Sequence, residues 1–155
     1  MAAPTPAPWP QPPPAPVAAP PAAQANSDVA PLVLLVEDQP SNIAIIRDLC
    51  ESVGYQLVVA TRGREGVLRA REMQPRLILM DIQLPGMSGI EAIQHLRADA
   101  ALRHIPIIAL SALVLPGDRE RCLTAGADDY LPKPIQVAIL RARMAAQLAR
   151  TGPTP

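Results

Sequence analysis

Short apolar runs alternate with longer amphipathic stretches between residue 32 and about residue 148. The apolar runs lack the alternation of strands with one wet face, so they predict strands of a parallel sheet that is covered on both sides. Between them, apolar side chains recur at helical spacing. The predicted strands are Leu32–Val36, Gln56–Ala60, Leu77–Met80, Ile105–Leu110 and Asp129–Leu131, and the predicted helices are Ser41–Val53, Arg64–Met73, Ser88–Leu96, Asp118–Ala125 and Ile135–Leu148.

The order of these elements is a strand followed by a helix, repeated five times. Right-handed crossovers place the helices on both faces of a five-stranded sheet. The sequence therefore predicts an α/β fold of the doubly wound (βα)5 type. In such sheets ligands bind beyond the carboxyl ends of the strands, so the functional residues are expected there.

The first 31 residues have a different composition from the rest of the chain. They contain eleven of the 20 prolines and ten alanines, and they show no apolar periodicity. Such a segment cannot build a core, so we expect residues 1–31 to be a disordered Pro/Ala-rich tail. The single domain is expected at residues 32–150, followed by a short tail at residues 151–155.

Charge and cysteine content narrow the class of protein. The 14 basic and 14 acidic side chains cancel, which gives no support for binding nucleic acid through a basic surface. No stretch has the features of a secretory signal or the roughly 20 apolar residues of a membrane span. Cys50 and Cys122 have no metal-type spacing and are expected to be buried, reduced thiols. These features favour a cytoplasmic protein that binds neither membranes nor nucleic acid.

Acidic side chains follow two of the predicted strands. Glu37 and Asp38 follow the first strand and Asp81 follows the third. Three carboxylates at one edge repel one another unless a cation lies among them, and Mg²⁺ suits an open oxygen site. Taken alone, Glu37 and Asp38 are equally consistent with an ordinary helix start. A carboxylate such as Asp81 beside Mg²⁺ can attack phosphorus and form an acyl phosphate.

Three further residues belong to the same predicted edge. Lys133 is the only lysine among 14 basic residues, and its compact ammonium suits contact with a phosphoryl oxygen. Ser111 ends the fourth strand and has a hydroxyl donor, and Tyr130 lies in the fifth strand. Each has a simpler interpretation when taken alone: a lysine in a surface turn, a capping serine and a core tyrosine.

Four motifs occur in order at the predicted strand ends. They are LLVEDQPSN, LILMDIQLPGMSGIEAI, IIALSAL and GADDYLPKPI, with Ser111 lying 30 residues after Asp81 and Lys133 lying 52 residues after it. From Leu32 to about Leu148 the chain resembles the CheY-like receiver domain of two-component response regulators. The segments LILMDIQLP and ALRHIPIIALSA resemble the sequences of the stand-alone, DivK-like subgroup, and also those of receivers attached to hybrid kinases.

The resemblance implies a flavodoxin-like sheet with strand order 2-1-3-4-5 and a defined phosphorylation site. Asp81 would be the phosphoacceptor, taking its phosphoryl group from a phosphohistidine of a sensor histidine kinase or a histidine phosphotransfer protein. Mg²⁺ would be held by Glu37, Asp38, Asp81 and the backbone carbonyl of Gln83. Lys133 would contact a phosphoryl oxygen, and its bond to the following proline would be cis.

The resemblance also implies a switch. Ser111 would hydrogen-bond the phosphoryl group while Tyr130 moves from an exposed to a buried rotamer. The face built from helix 4, strand 5 and helix 5 would then change its affinity for a downstream protein target. The protein would be a signalling protein that assists its own phosphorylation and dephosphorylation. Because no output domain is visible in the sequence, it is expected to act on other proteins or to serve as an intermediate in a phosphorelay.

Three alternatives remain at the level of sequence. A haloacid-dehalogenase-type phosphatase also uses Asp, Mg²⁺ and Lys, but it requires a second Asp at the position that Gln83 occupies. A flavodoxin-like FMN carrier requires a Gly- and hydroxyl-rich loop where this chain has Glu37 and Asp38. The third is an interaction module of the same fold that is never phosphorylated and uses the proline-rich tail as its main partner contact.

Overall fold

A computed structural model of the protein describes residues 29–112 and 115–150. The predicted tails lie outside these residues, apart from residues 29–31 of the first one. The tail assignments and the domain boundary at residue 32 therefore stay predictions.

Five strands and five helices alternate along the chain, as predicted. The strands form one parallel sheet in the order β2-β1-β3-β4-β5, which confirms the predicted doubly wound α/β fold. The elements are β1 Leu32–Val36, α1 Pro40–Val53, β2 Gln56–Ala60, α2 Gly63–Met73, β3 Leu77–Asp81, α3 Gly89–Ala98, β4 Ile107–Ser111, α4 Asp118–Ala125, β5 Asp129–Pro132 and α5 Val137–Arg150.

The largest difference from the predicted strands is at the start of β4, which begins at Ile107 instead of Ile105. The N–H of Ile105 donates to the carbonyl of Leu102, so Ile105 closes a turn. Pro106 has no N–H to donate to a neighbouring strand. At the other end of the sheet, β3 and β4 each extend by one residue and include Asp81 and Ser111.

Apolar side chains pack on both faces of the sheet. Strands β3 and β4 are buried along their whole length, which explains their uninterrupted apolar runs. Cys122 packs on one face and Cys50 on the other, and both are free thiols, as predicted. Burial raises the pKa of each thiol to about 11. None of the helices in residues 29–112 and 115–150 is long and apolar enough to cross a membrane.

The start of α3 is fixed closely against the end of β3. Ser88 caps the helix in a reciprocal pair of hydrogen bonds with Glu91. The N–H of Gly89 donates to the carbonyl of Ile82 over 2.9 Å, and a Cβ at this glycine would overlap the backbone of Asp81. Helix α3 therefore packs directly against the backbone of Asp81 and fixes its position.

Candidate functional site

Three carboxylates converge at the carboxyl edge of the sheet. Glu37 is 0 % exposed and Asp81 is 1 % exposed, while Asp38 is partly exposed. Each of the three offers an oxygen within 4.8 Å of the others. They meet because β1 and β3 are adjacent parallel strands in which Val36 pairs with Met80. The structure thus brings together the acidic residues that the sequence analysis singled out.

Lys133 supplies the positive charge among these carboxylates. Its Nζ lies 2.8 Å from Glu37 Oε1 and 3.3 Å from Asp81 Oδ2, and its side chain is 11 % exposed. Its backbone N–H donates to the carbonyl of Ser111 over 2.7 Å, which ties the end of β5 to the end of β4. The peptide bond between Lys133 and Pro134 is cis, as the resemblance implied.

The Asp81 carboxyl is held in a position that disfavours its charge. Burial raises the pKa of Asp81 from 3.8 to about 6, and the neighbouring charge of Glu37 acts in the same direction. The N–H of Gln83, which donates to Asp81 Oδ1 over 3.0 Å, and the charge of Lys133 oppose this increase. The anion is therefore buried in a site that is short of positive charge.

The donor set and its charge fit a hard divalent cation. Three carboxylates face one ammonium, so the ionised group carries an excess of two negative charges. Within the described part of the chain, the buried Glu37 Oε1 accepts no hydrogen bond of good geometry, although Lys133 Nζ lies 2.8 Å from it. Carboxylate oxygens are the ligands that Mg²⁺ prefers. The participation of the Gln83 carbonyl stays a prediction.

Ser111 and Tyr130 are joined by a residue that the sequence analysis did not select. Both hydroxyls donate to Oδ2 of Asp118, each over 2.9 Å. Asp118 is the first residue of α4 and is 5 % exposed. An acidic residue at a helix start is common, so no signal in the sequence distinguished this one from an ordinary N-terminal residue. The predicted rotamer change of Tyr130 stays a prediction.

An apolar pocket of about 190 Å³ lies between β5 and α5. Its lining includes Tyr130, Leu131, Ile135 and Ile139. Ile139 is 41 % exposed, which is high for a large apolar side chain. The pocket lies on the face that the resemblance assigned to partner binding, and Tyr130 contributes to both the pocket and the hydroxyl cluster.

The geometry of this edge agrees with a known protein family. The family model of the response regulator receiver domain matches residues 33–145 of this chain. The chain belongs to the response regulator receiver domain family. This receiver is therefore a signalling protein, a phosphoacceptor switch of a two-component system. Family membership favours this assignment over the phosphatase and FMN-carrier alternatives.

Individual relatives agree with the family assignment. The receiver is 47 % identical to the polar-differentiation response regulator DivK of Brucella anthropi over 105 residues, which are 68 % of this chain and 85 % of that protein. It is also similar to the receiver domain of a sensor histidine kinase from Pseudomonas aeruginosa, solved with a magnesium ion coordinated in its active-site cleft. That comparison gives a TM-score of 0.73 at 39 % identity and covers 78 % of this chain and 99 % of the other.

A second solved structure has a similar fold. It is the signal receiver domain of a signal transduction histidine kinase from Syntrophus aciditrophicus, with a TM-score of 0.75 at 33 % identity. The match covers 81 % of this chain and 96 % of that one. A response regulator and the receiver domains of histidine kinases are thus both similar to this chain, as the sequence motifs indicated.

Proposed function

We propose that Asp81 is the phosphoacceptor of this receiver and that its donor is a phosphohistidine on a sensor histidine kinase or a histidine phosphotransfer protein. One observation carries the proposal. Asp81 ends a buried strand, and its carboxylate lies beside Lys133 and two further carboxylates. An amide or an apolar residue would stabilise the fold better than a buried carboxylate in a site with this surplus of negative charge. The charge of Asp81 is therefore best explained by a function.

The transfer needs little beyond correct positioning and charge compensation. A carboxylate oxygen of Asp81 forms a bond to phosphorus while the bond from phosphorus to the donor imidazole nitrogen breaks, and the electron pair of that bond stays on the nitrogen. Glu37, Asp38, Asp81 and the Gln83 carbonyl would hold Mg²⁺, which supplies positive charge to the phosphoryl oxygens when bound. The receiver itself thereby assists its own phosphorylation and dephosphorylation.

The remaining residues of the edge stabilise the phosphorylated form. The ammonium of Lys133, 3.3 Å from Asp81 Oδ2, is within reach of a phosphoryl oxygen on the same carboxyl group. The Ser111 hydroxyl is the donor for another oxygen once it leaves Asp118. Because Ser111 and Tyr130 share one acceptor, a change at Ser111 is transmitted to β5 and the apolar pocket.

The output of the switch is a change in affinity for a protein target. We assign this contact to the α4-β5-α5 face, where Tyr130 and Ile139 line the pocket beside α5. Balanced charge supports a protein partner over nucleic acid or a membrane. We further propose that the working unit is residues 32–150, that residues 1–31 and 151–155 are tails outside it, and that the protein acts in the cytoplasm.

Phosphorylation can be tested directly by intact mass. Incubation of the full chain with acetyl phosphate and Mg²⁺ is expected to add about 80 Da to the wild type and nothing to Asp81→Asn. Asp48→Asn is a matched control, since Asp48 is an exposed carboxylate on α1, and it is expected to gain the same mass as the wild type. A wild type that gains no mass would contradict the proposal and favour the unphosphorylated interaction module.

A further inference from the structure

The carboxylate of Asp118 is the acceptor for both predicted switch residues. Ser111 Oγ and the Tyr130 hydroxyl each donate to the same oxygen, Oδ2, over 2.9 Å. These donors come from β4 and β5, and the acceptor comes from the first turn of α4. A single buried oxygen therefore connects the three elements that lead from the phosphorylation edge to the proposed partner face.

The surroundings of Asp118 make it depend on these two hydroxyls. Its side chain is 6 % exposed, and its ion-pair partner among the described residues, Arg121 Nη1, lies 3.7 Å from the other oxygen on a side chain that is 65 % exposed. The amino end of α4 adds a favourable partial charge. A buried carboxylate that loses a hydrogen-bond donor is destabilised, because its charge stays out of water without compensation. The resting arrangement, in which both hydroxyls donate to Asp118, is thus stabilised by compensation of the buried Asp118 charge as well as by the hydrogen bonds of the hydroxyls.

The same hydroxyl of Ser111 has two competing acceptors. A serine hydroxyl has one proton and donates it to one acceptor at a time. In this structure the acceptor is Asp118, whereas the phosphorylated receiver requires the proton for a phosphoryl oxygen on Asp81. The bond to Asp118 must therefore break when the switch operates, and the shared acceptor makes Tyr130 sensitive to that change.

We propose that Asp118 is a positioning residue that holds Ser111 and Tyr130 in the resting arrangement and so sets how readily this receiver adopts its active form. The proposal rests on the proposed function of Asp81, because the competing acceptor is the phosphoryl group. Removal of the carboxylate takes stabilisation away from the resting form. It therefore shifts the equilibrium toward the active form before any phosphoryl group is present.

The tyrosine content of the chain provides a direct measurement. Tyr55 and Tyr130 are the only two tyrosines, so the full chain labelled with ring-¹³C tyrosine gives two sets of NMR signals, which Tyr130→Phe assigns. In the unphosphorylated protein, Asp118→Asn and Asp118→Ala are expected to move the Tyr130 signals and leave those of Tyr55. Glu120→Gln, an exposed carboxylate in the same helical turn, is the matched control and is expected to change neither.

Titration of Tyr130 distinguishes a direct contact from a general loosening of the fold. Burial raises the pKa of Tyr130, the hydrogen bond to Asp118 raises it further, and a hydrogen bond with Ser111 opposes the increase. Both Asp118 variants are expected to lower the pKa of Tyr130 relative to the wild type while the Tyr55 titration stays unchanged. A structural defect elsewhere would not lower one tyrosine pKa selectively.

Binding of a phosphoryl mimic completes the test. Beryllofluoride with Mg²⁺ is expected to bind Asp118→Ala about three- to tenfold more tightly than the wild type, because less stabilisation of the resting form has to be overcome. Unchanged Tyr130 signals and pKa in both Asp118 variants, or weaker beryllofluoride binding, would overturn the proposal. Failure of the wild type to accept phosphate or beryllofluoride would instead overturn the function of Asp81, since the Tyr130 measurements need neither.

Discussion

The two edges of the sheet differ in how completely their charged groups are paired. At the amino edge, the guanidinium of Arg97 donates to the carbonyls of Gly126 and Ile105, each over 2.7 Å, to that of Arg103 over 2.9 Å, and to the Asp128 carboxylate over 2.7 Å. At the carboxyl edge, three carboxylates share one ammonium among the residues that the structure describes, and the buried Glu37 Oε1 has the ion pair with Lys133 as its compensation there. We call the amino edge saturated, because the Arg97 guanidinium donates four hydrogen bonds there. We call the carboxyl edge incomplete, because its negative charge is only partly compensated.

We interpret the difference as a division between groups that serve stability and groups that serve the proposed phosphoryl transfer. A planar guanidinium with five donors suits a fixed set of acceptors, and this protein uses arginine there. A compact ammonium suits a place where charge must be rearranged, and its only lysine, Lys133, lies there. Incomplete charge compensation at the carboxyl edge lowers the stability of the protein without ligands, and it leaves the carboxylates available for the proposed Mg²⁺ and phosphoryl group.

The largest expected change comes from breaking the saturated edge. Arg97→Ala is expected to lower the free energy of unfolding by about 2–4 kcal/mol, because three carbonyls and the Asp128 carboxylate lose a donor together. Urea denaturation measures this loss. Arg69→Ala is the control, since the Arg69–Glu65 pair is exposed and 3.8 Å apart, and a loss below about 0.5 kcal/mol is expected. Equal losses in the two variants would contradict the assignment.

The second prediction concerns removing a charge from the incomplete edge. Asp81→Asn is expected to raise the free energy of unfolding by about 1–3 kcal/mol at about pH 8 in the presence of a chelator. The pKa of Asp81 is about 6 in the folded protein, above its ordinary 3.8, so the folded state binds the proton more tightly. Ionisation of Asp81 therefore destabilises the wild type as pH rises from about 4 to about 6. Over the same range, the free energy of unfolding of Asp81→Asn increases relative to that of the wild type.

The matched control for this variant is Asp128→Asn at the amino edge. Asp128 Oδ2 accepts from both Arg97 and the N–H of Ile107, so its replacement is expected to destabilise the protein. The same chemical change thus has opposite signs at the two edges. Urea denaturation of both variants at about pH 4 and pH 8 gives the comparison. An advantage of Asp81→Asn that is the same at both pH values would contradict the burial of charge as its cause.

The sequence was sufficient to predict the convergence of the carboxyl edge. Parallel strands end at a common edge, so residues that follow apolar runs are brought together whatever the details of packing. For this reason Glu37, Asp38, Asp81 and Lys133 were identified together, although the ends of several strands and helices differed from the prediction by one or two residues. The charge imbalance was also readable, because it is a count of side chains at one place.

Asp118 and Arg97 were not predictable by the same means. Each lies on a helix whose apolar period describes only the side that packs on the sheet, and each reaches acceptors or donors in other elements. The bond from Tyr130 to Asp118 depends on how α4 is placed against β5, which no local pattern encodes. Arg97 had the character of an ordinary exposed helical cation, and only the positions of three carbonyls reveal its role.

The smallest expected effect comes from completing the incomplete edge with Mg²⁺. A ligand at about ten times its Kd raises the free energy of unfolding by about 1.4 kcal/mol when it binds only the folded state. This gain is expected for the wild type and for Arg97→Ala, whose change lies at the other edge, but not for Asp81→Asn, which loses a predicted ligand. This gain is expected to shrink below about pH 6, because the proton on Asp81 competes with the metal.

Urea denaturation with Mg²⁺, compared with Na⁺ at equal ionic strength, measures the gain in the free energy of unfolding. An equal gain in Asp81→Asn and the wild type would mean that Mg²⁺ binds elsewhere, and the contrast between the edges would then not be a contrast between a structural site and a metal site.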